Sequence, residues 1–235
     1  MSIVGFIPAR GGSKAIYKKN IKMLNNKPLI NYTIDISNKC DFIDNTIVST
    51  DDNEIAEISK EAGAKIPFIR PSEFAEDSTP DRPVLLHFLD WYFKLHKQYP
   101  ELIVFLRPTS PLRRMKDIKS AIKKISSNDY FTGLRSVNKV DGIHHPYWMY
   151  KKENDILTPF VDDVDITNFY QKQLLPDCFR LNGAIDILRP QIILNSNNIY
   201  GKKMTFFEID EETSIDIDTE FDFKMCEFIL QQQTS

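Results

Sequence analysis

Apolar positions along the chain follow two rhythms, short continuous runs and longer stretches at helical spacing. Ile3 to Pro8 is a continuous run that ends at Arg10-Gly11-Gly12, the pattern of a buried strand emptying into a glycine-rich loop. Pro28 stands where a helix accepts proline in its first turn, and Leu29, Thr33, Ile36 and Cys40 then recur at helical spacing. Asn45 to Thr50 is short and β-branched, hence a strand. Asp51 or Asp52 can cap a helix with Ile55, Ile58 and Ala62 on one face, and Gly63 stops it. Lys65 to Ile69 reads as a further strand. Beyond a polar loop at 70–80, Val84, Leu85, Phe88, Leu89, Tyr92 and Leu95 form a wide stripe. Leu102 to Leu106 is then a continuous strand, and Ile118, Ala121, Ile122 and Ile125 mark another helix.

Between 140 and 177 the rhythm breaks, with Pro146-Tyr147-Trp148-Met149, a turn at Glu153-Asn154-Asp155 and an acidic stretch at Asp162 to Asp165. This reads as an arm inserted into the domain. The alternation resumes with a strand at Cys178 to Leu188, a short helix after Pro190, a strand at Met204 to Glu208 and a last helix from about Thr219. Phe221, Met225, Phe228 and Ile229 are its expected buried face. The whole predicts one α/β domain over 1–235, with a mostly parallel sheet between helices on both sides. In such folds ligands gather beyond the carboxyl ends of the strands. The loops at 8–20, 50–52, 70–80 and 107–113 are therefore expected to converge.

Composition narrows the function. With 42% hydrophobic and 27% charged residues, the chain is an ordinary globular one, neither disordered nor fibrous. Thirty Lys and Arg against 33 Asp and Glu leave a net charge of −3, so no nucleic acid or anionic membrane partner is expected. A polyanion has to be bound by a local cluster. Cys40, Cys178 and Cys226 are odd in number and widely spaced, which argues against a disulfide framework or zinc site. Without a basic, apolar leader or a run of about 18 apolar residues, the expectation is a soluble, cytoplasmic protein.

A local cluster does exist. Arg10, Lys14, Lys18 and Lys19 fall within eleven positions together with Gly11, Gly12, Ser13 and Asn20. Glycines let backbone N–H groups approach a phosphate, and the cations supply charge-assisted bonds to its oxygens. The alternative is a solvated turn. Neither the dinucleotide fingerprint nor the P-loop spacing is present. Asp216 and Asp218 form the second signal, since two positions apart in an extended segment they point to one side. Such a pair suits magnesium, which is held by one or two carboxylates plus substrate phosphates. The other reading is that one of them caps the last helix.

Six segments in order resemble the acylneuraminate cytidylyltransferases. They are Ile7-Pro8-Ala9-Arg10-Gly11-Gly12-Ser13-Lys14 through Lys19-Asn20, Ser49-Thr50-Asp51-Asp52, Arg70-Pro71-Ser72-Glu73, Arg107-Pro108-Thr109-Ser110-Pro111-Leu112-Arg113, Asn182-Gly183-Ala184 and Ser214-Ile215-Asp216-Ile217-Asp218-Thr219. The resemblance implies a three-layer α/β/α Rossmann-like nucleotidyltransferase fold. It also implies transfer of CMP from CTP to the anomeric hydroxyl of a nine-carbon 2-keto sugar acid. By the same resemblance Arg10, Gly11, Gly12, Ser13, Lys14, Lys19 and Asn20 bind nucleotide, with Arg10, Lys14 and Lys19 catalytic. Arg70 and Asn182 complete the nucleotide site, and Asp216 and Asp218 hold Mg2+. Lys172 and Gln173, where the family commonly has Arg-Gln, bind substrate, and 140–177 is a dimerisation arm that makes the protein a homodimer.

Departures cluster on the sugar side. Ala15 stands where glycine is usual, Arg107 where glutamine is common, and Asp186 where some members have tyrosine. Arg107 and Asp186 are accordingly candidate substrate residues, and Pro146-Tyr147-Trp148-Met149 looks more like the legionaminic-acid branch. An eight-carbon acid such as Kdo, or a catalytically silent nucleotide-binding scaffold, are the alternatives.

Overall fold

The computed structural model describes residues 2–140 and 142–234. In chain order the strands of its main sheet are β1 (Ile3–Pro8), β4 (Asn45–Ser49), β5 (Leu102–Phe105), β6 (Gly133–Lys139), β9 (Phe179–Leu188) and β10 (Met204–Glu208). The small pairs β2 (Met23–Leu24) with β3 (Lys27–Pro28), and β7 (Tyr150–Glu153) with β8 (Ile156–Pro159), stand apart. The helices are α1 (Leu29–Asn38), α2 (Asn53–Glu61), α3 (Asp81–His96), α4 (Met115–Ser126), α5 (Pro190–Asn195) and α6 (Glu220–Thr234).

The sheet order is β10-β6-β9-β5-β1-β4, and only β9 runs antiparallel to its neighbours. Alternate residues of the central strands enter two cores. Val4, Phe6, Ile103 and Phe105 pack with Val84, Phe88 and Leu89 of α3 on one face. Ile7, Leu102 and Val104 pack with Ile30, Ile34, Ile118 and Ile122 of α1 and α4 on the other. Burial on both faces is why these strands read as unbroken apolar runs. At Gly5 any Cβ would collide with Ser37, so glycine is what lets α1 lie against the sheet.

Helix ends follow their caps. Asp52 Oδ1 accepts from the N–H groups of Glu54 (2.8 Å) and Ile55 (3.0 Å) to start α2, and Gly63 leaves it at φ +86°. Thr219 and Asp222 start α6 reciprocally: Asp222 Oδ2 accepts from Thr219 N at 2.7 Å, and Asp222 N donates to Thr219 Oγ1 at 3.3 Å.

Two expectations are corrected, and one strand stands where the apolar pattern marks none. Lys65 to Ile69 contributes one bridge, Ile47 to Lys65, and no strand; Pro67 has no N–H to continue a ladder. β6 escaped the periodicity reading because Arg135, Ser136 and Asn138 interrupt its apolar positions. On α6 the buried residues are Phe223 (4% exposed) and Cys226 (0%), whereas Phe221 (70%), Met225 (39%) and Phe228 (58%) face outward. That helix is apolar on two sides, and the nearby cluster of Ile16, Leu24, Leu29, Leu112 and Ile217 selects the side that is buried.

Residues 142–177 form the β7–β8 hairpin, turning at Asn154 with φ 57°, and a set of short 3-10 turns. Trp148 Nε1 donates to Phe169 O at 2.7 Å and Tyr147 meets the Phe169 ring edge-on, a small internal core. Ile143, Ile156, Leu157, Phe160 and Tyr170 remain exposed. Among the described residues no helix is long and apolar enough to cross a membrane.

Candidate active site

At the carboxyl ends of β1, β4 and β5 the chain opens a cleft of about 300 Å³ lined by Arg10, Ser13, Lys19, Asn20, Arg70, Asp77, Asp81, Arg107 and Thr109, among others. The convergence of loops follows from the parallel strands, whose ends lie on one edge. The β1 loop is tied down from both sides. Ala9 N donates to Ser49 O at 2.9 Å, Gly11 N to Asp51 Oδ1 at 2.9 Å, and the buried Asn20 gives its Nδ2–H to Arg10 O at 2.9 Å. A Cβ at Gly11 would lie 2.8 Å from Asp52 Oδ2, so the close approach requires glycine there; Gly12 faces open space. Lys18, left-handed at φ 49°, turns the chain into the short 3-10 segment Lys19–Ile21.

Lys19 leads from this cleft into a second. Its ammonium donates to Ile217 O at 2.7 Å and lies 3.4 Å from Asp218 Oδ1. The adjoining cleft, about 390 Å³, is lined by Arg180, Asn182, Ser214, Asp216, Asp218 and Asp222, among others. Ile217 is buried while Asp216 and Asp218 are exposed. The extended segment thus turns its apolar side inward and presents both carboxylates on the other. The capping alternative for this pair falls away, because Thr219 and Asp222 cap α6. Asp222 is also held below the usual carboxylate range: burial opposes this, but the bonds from Thr219 and from Asp218 N prevail. Two exposed hard carboxylates beside a basic loop fit magnesium completed by phosphate oxygens. Among the described residues no cluster of three His, Cys, Asp or Glu forms a metal site by itself.

Below the first cleft lies a charged network. Asp186, fully buried, accepts at Oδ2 from Arg107 Nη1 (2.7 Å) and the Tyr200 hydroxyl (2.8 Å), and at Oδ1 from Arg135 Nε (3.1 Å). Arg107 also pairs with Asp81 Oδ2 at 2.7 Å, and Arg135 stacks over the Tyr200 ring at 4.4 Å. Burial works against the charge of Arg107, yet Asp186 and Asp81 overcome it and raise its pKa. Burial raises the Tyr200 hydroxyl as well, reinforced by Asp186. Arg70, held by Ser49 and Phe74 O, is pushed down to about 10 by burial. Arg113, pushed down to about 9 by burial, clamps Thr33, Ala184 O and Arg107 O.

The residues expected from sequence divide accordingly. Arg10, Ser13, Lys19, Asn20, Arg70 and Arg107 line the first cleft, and Lys14 stands exposed at its rim with Asp77. Two assignments are revised. Asp186 does not reach ligand, since both its oxygens are engaged beneath Arg107. Asn182 lies at the second cleft with its amide already bonded: Oδ1 accepts from Ser136 Oγ (2.5 Å) and Ala184 N (3.1 Å), and Nδ2 donates to Asn138 Oδ1 (3.0 Å). Asn138 in turn donates to Ser214 Oγ at 2.9 Å, so this chain anchors the segment carrying Asp216 and Asp218. Lys172 and Gln173 sit in the arm and line neither cleft. Sequence reasoning missed Asp77, Asp81, Arg135 and Asn138; the only signal for the first two was their place at or beside the 70–80 loop.

The chain matches a family profile described as Cytidylyltransferase over residues 4–232. It is 31% identical to the post-translational flagellin modification protein B of Campylobacter coli, covering 97% of this chain and 94% of that one. It is likewise 31% identical to the CMP-N,N'-diacetyllegionaminic acid synthase of Campylobacter jejuni, over 95% and 93%. The N-acylneuraminate cytidylyltransferase of Escherichia coli O18:K1:H7 is 29% identical over 98% of this chain, which spans about half, 52%, of that longer protein. In fold, the solved CMP:2-keto-3-deoxy-manno-octonic acid synthetase complexed with CTP superposes with a TM-score of 0.75 at 15% identity, covering 99% of this chain and 100% of that one.

Proposed function

Because the chain belongs to the cytidylyltransferase family, we propose that it transfers CMP from CTP to the anomeric hydroxyl of a nine-carbon 2-keto sugar acid, of the sialic, legionaminic or related nonulosonic class. The hydroxyl gives up its proton to solvent as its oxygen bonds to the α-phosphorus, the bond to the bridging oxygen of the β-phosphate breaks, and pyrophosphate leaves. The carrying observation is the bridge made by Lys19, whose ammonium meets Ile217 O at 2.7 Å and joins the basic loop to the carboxylate pair. Relatives named for legionaminic and acylneuraminic acids, similar along nearly the whole of this chain, support the acceptor class.

In this reading the site needs no side-chain nucleophile, because phosphoryl chemistry asks mainly for positioning and charge stabilisation. Arg10, Lys14 and Lys19 stabilise charge on the phosphate oxygens, with Ser13 and Asn20 shaping the loop around them. Arg70 offers a fixed cation in the wall, and Arg107 the fork that meets the acid acceptor. Asp216 and Asp218 would hold magnesium, which when bound neutralises phosphate charge and polarises its oxygens. Lys172 and Gln173 belong to an arm whose exposed apolar residues suit a second copy of the chain; a monomer in sedimentation at working concentration would remove that part.

Pyrophosphate release from CTP, an acid acceptor and Mg2+ tests the site. Asp216→Ala and Asp218→Ala should each cut turnover at least about a hundredfold, with the melting temperature unchanged because both side chains are exposed and neither caps α6. Activity near that of the unaltered protein, with the same metal requirement, refutes the metal assignment.

A further inference from the structure

Both outer cations of the β1 loop converge on one acidic side chain from another loop. Asp77 Oδ1 lies 2.6 Å from Arg10 Nη1, and Asp77 Oδ2 bonds Lys14 Nζ. Neither cation has another ion pair among the described residues. Asp77 belongs to the 70–80 loop and lines the cleft. Its carboxylate therefore stands where two oxygens of a polyanion would meet the same two cations. Lys14, first through its direct bond, and then Arg10 hold the Asp77 carboxyl below the usual range. All three side chains keep solvent access, at 35% for Arg10, 84% for Lys14 and 38% for Asp77. Ion pairs this exposed are individually weak and screened, and an entering phosphate group of higher charge can displace them.

We propose that Asp77 is a built-in competitor for the anion position of the Arg10 and Lys14 loop, loosening the grip on CTP and on the departing pyrophosphate. The proposal rests on the reading of this cleft as the triphosphate site. The carboxylate keeps the loop charge-balanced while empty, at the expense of ligand affinity. It rebinds the cations as pyrophosphate leaves, so it favours release over retention.

The test is titration calorimetry with inorganic tripolyphosphate and pyrophosphate in EDTA, which needs neither metal nor sugar acid. Asp77→Asn should tighten both by roughly three- to tenfold. In steady-state assays the same variant should lower the KM for CTP and strengthen inhibition by pyrophosphate. Glu76→Gln makes the same charge change in the same wall without an ion pair to lose among the described residues, and should shift binding by less than about twofold. Unchanged or weaker binding in Asp77→Asn, or equal tightening in Glu76→Gln, overturns the competitor role and leaves the site reading standing. No detectable binding of tripolyphosphate to the unaltered protein overturns both.

Discussion

Replacing Asp186 by asparagine probes the buried support of Arg107. The carboxylate has no solvent exposure and accepts bonds from Arg107, Arg135 and Tyr200. Asparagine keeps the shape but offers one acceptor oxygen and turns an NH2 toward donors that have no other use for it. Arg107 keeps Asp81, at 2.7 Å, while Arg135 loses its only carboxylate partner among the described residues. Removing one side of a buried ion pair costs about 3–5 kcal/mol. For a chain of this size each kcal/mol lowers Tm by about 2–4 °C, so thermal unfolding at pH 7 should drop by roughly 6–20 °C. Arg107→Gln combined with Asp186→Asn should cost less than the two single changes summed, by more than about 1 kcal/mol, because the first removes a charge the second strands. A loss under about 1 kcal/mol for the single variant, or strict additivity in the pair, would refute the argument. In steady-state kinetics the acid acceptor, rather than CTP, should show the larger rise in KM.

Three further outcomes follow from local chemistry. Thr219→Ala removes the reciprocal cap of α6 and should cost about 1 kcal/mol, or 2–4 °C in Tm by calorimetry. Asp222, whose carboxyl is depressed, stabilises above the ordinary carboxylate range and loses that contribution as pH falls through its folded value. The penalty of Asp222→Asn in thermal unfolding should therefore shrink below about pH 4; a penalty that grows on acidification contradicts the sign. Burial pushes the Cys226 thiol up to about 12 and raises Cys40 as well. Titration of the native chain with a thiol reagent at pH 8 should find Cys178 reactive and the other two silent until denaturant is added, whereas three fast thiols would refute the packing of α6.

Most of the central sheet was legible because its strands are buried on both faces, so Ile3 to Pro8 and Leu102 to Leu106 stand out as apolar runs. β6 was not, since its polar side chains serve a buried network: Ser136 and Asn138 bond Asn182, and Arg135 bonds Asp186. The same fact explains the two site revisions. A polar residue next to a binding motif reads as a ligand contact, yet Asn182 is bonded by Ser136 and Asn138 and Asp186 by Arg107 and Arg135, partners 44 to 79 positions away. Such pairings come from topology, and spacing along one chain does not encode them. The basic loop and the two aspartates were legible because each is a dense local signal. Their meeting through Lys19 and Ile217, across 198 positions, is a product of the fold. The outward face of α6 was missed because both of its sides carry apolar residues and only the packed neighbours choose between them.

The most direct test of the account is pyrophosphate release with CTP and Mg2+ across N-acetylneuraminic, legionaminic and pseudaminic acids and Kdo. The account predicts release with a nine-carbon acid, abolished when CTP or the acid is omitted. Release with Kdo alone would contradict the acceptor class, and silence across the panel with CTP still bound would contradict the transfer reaction itself.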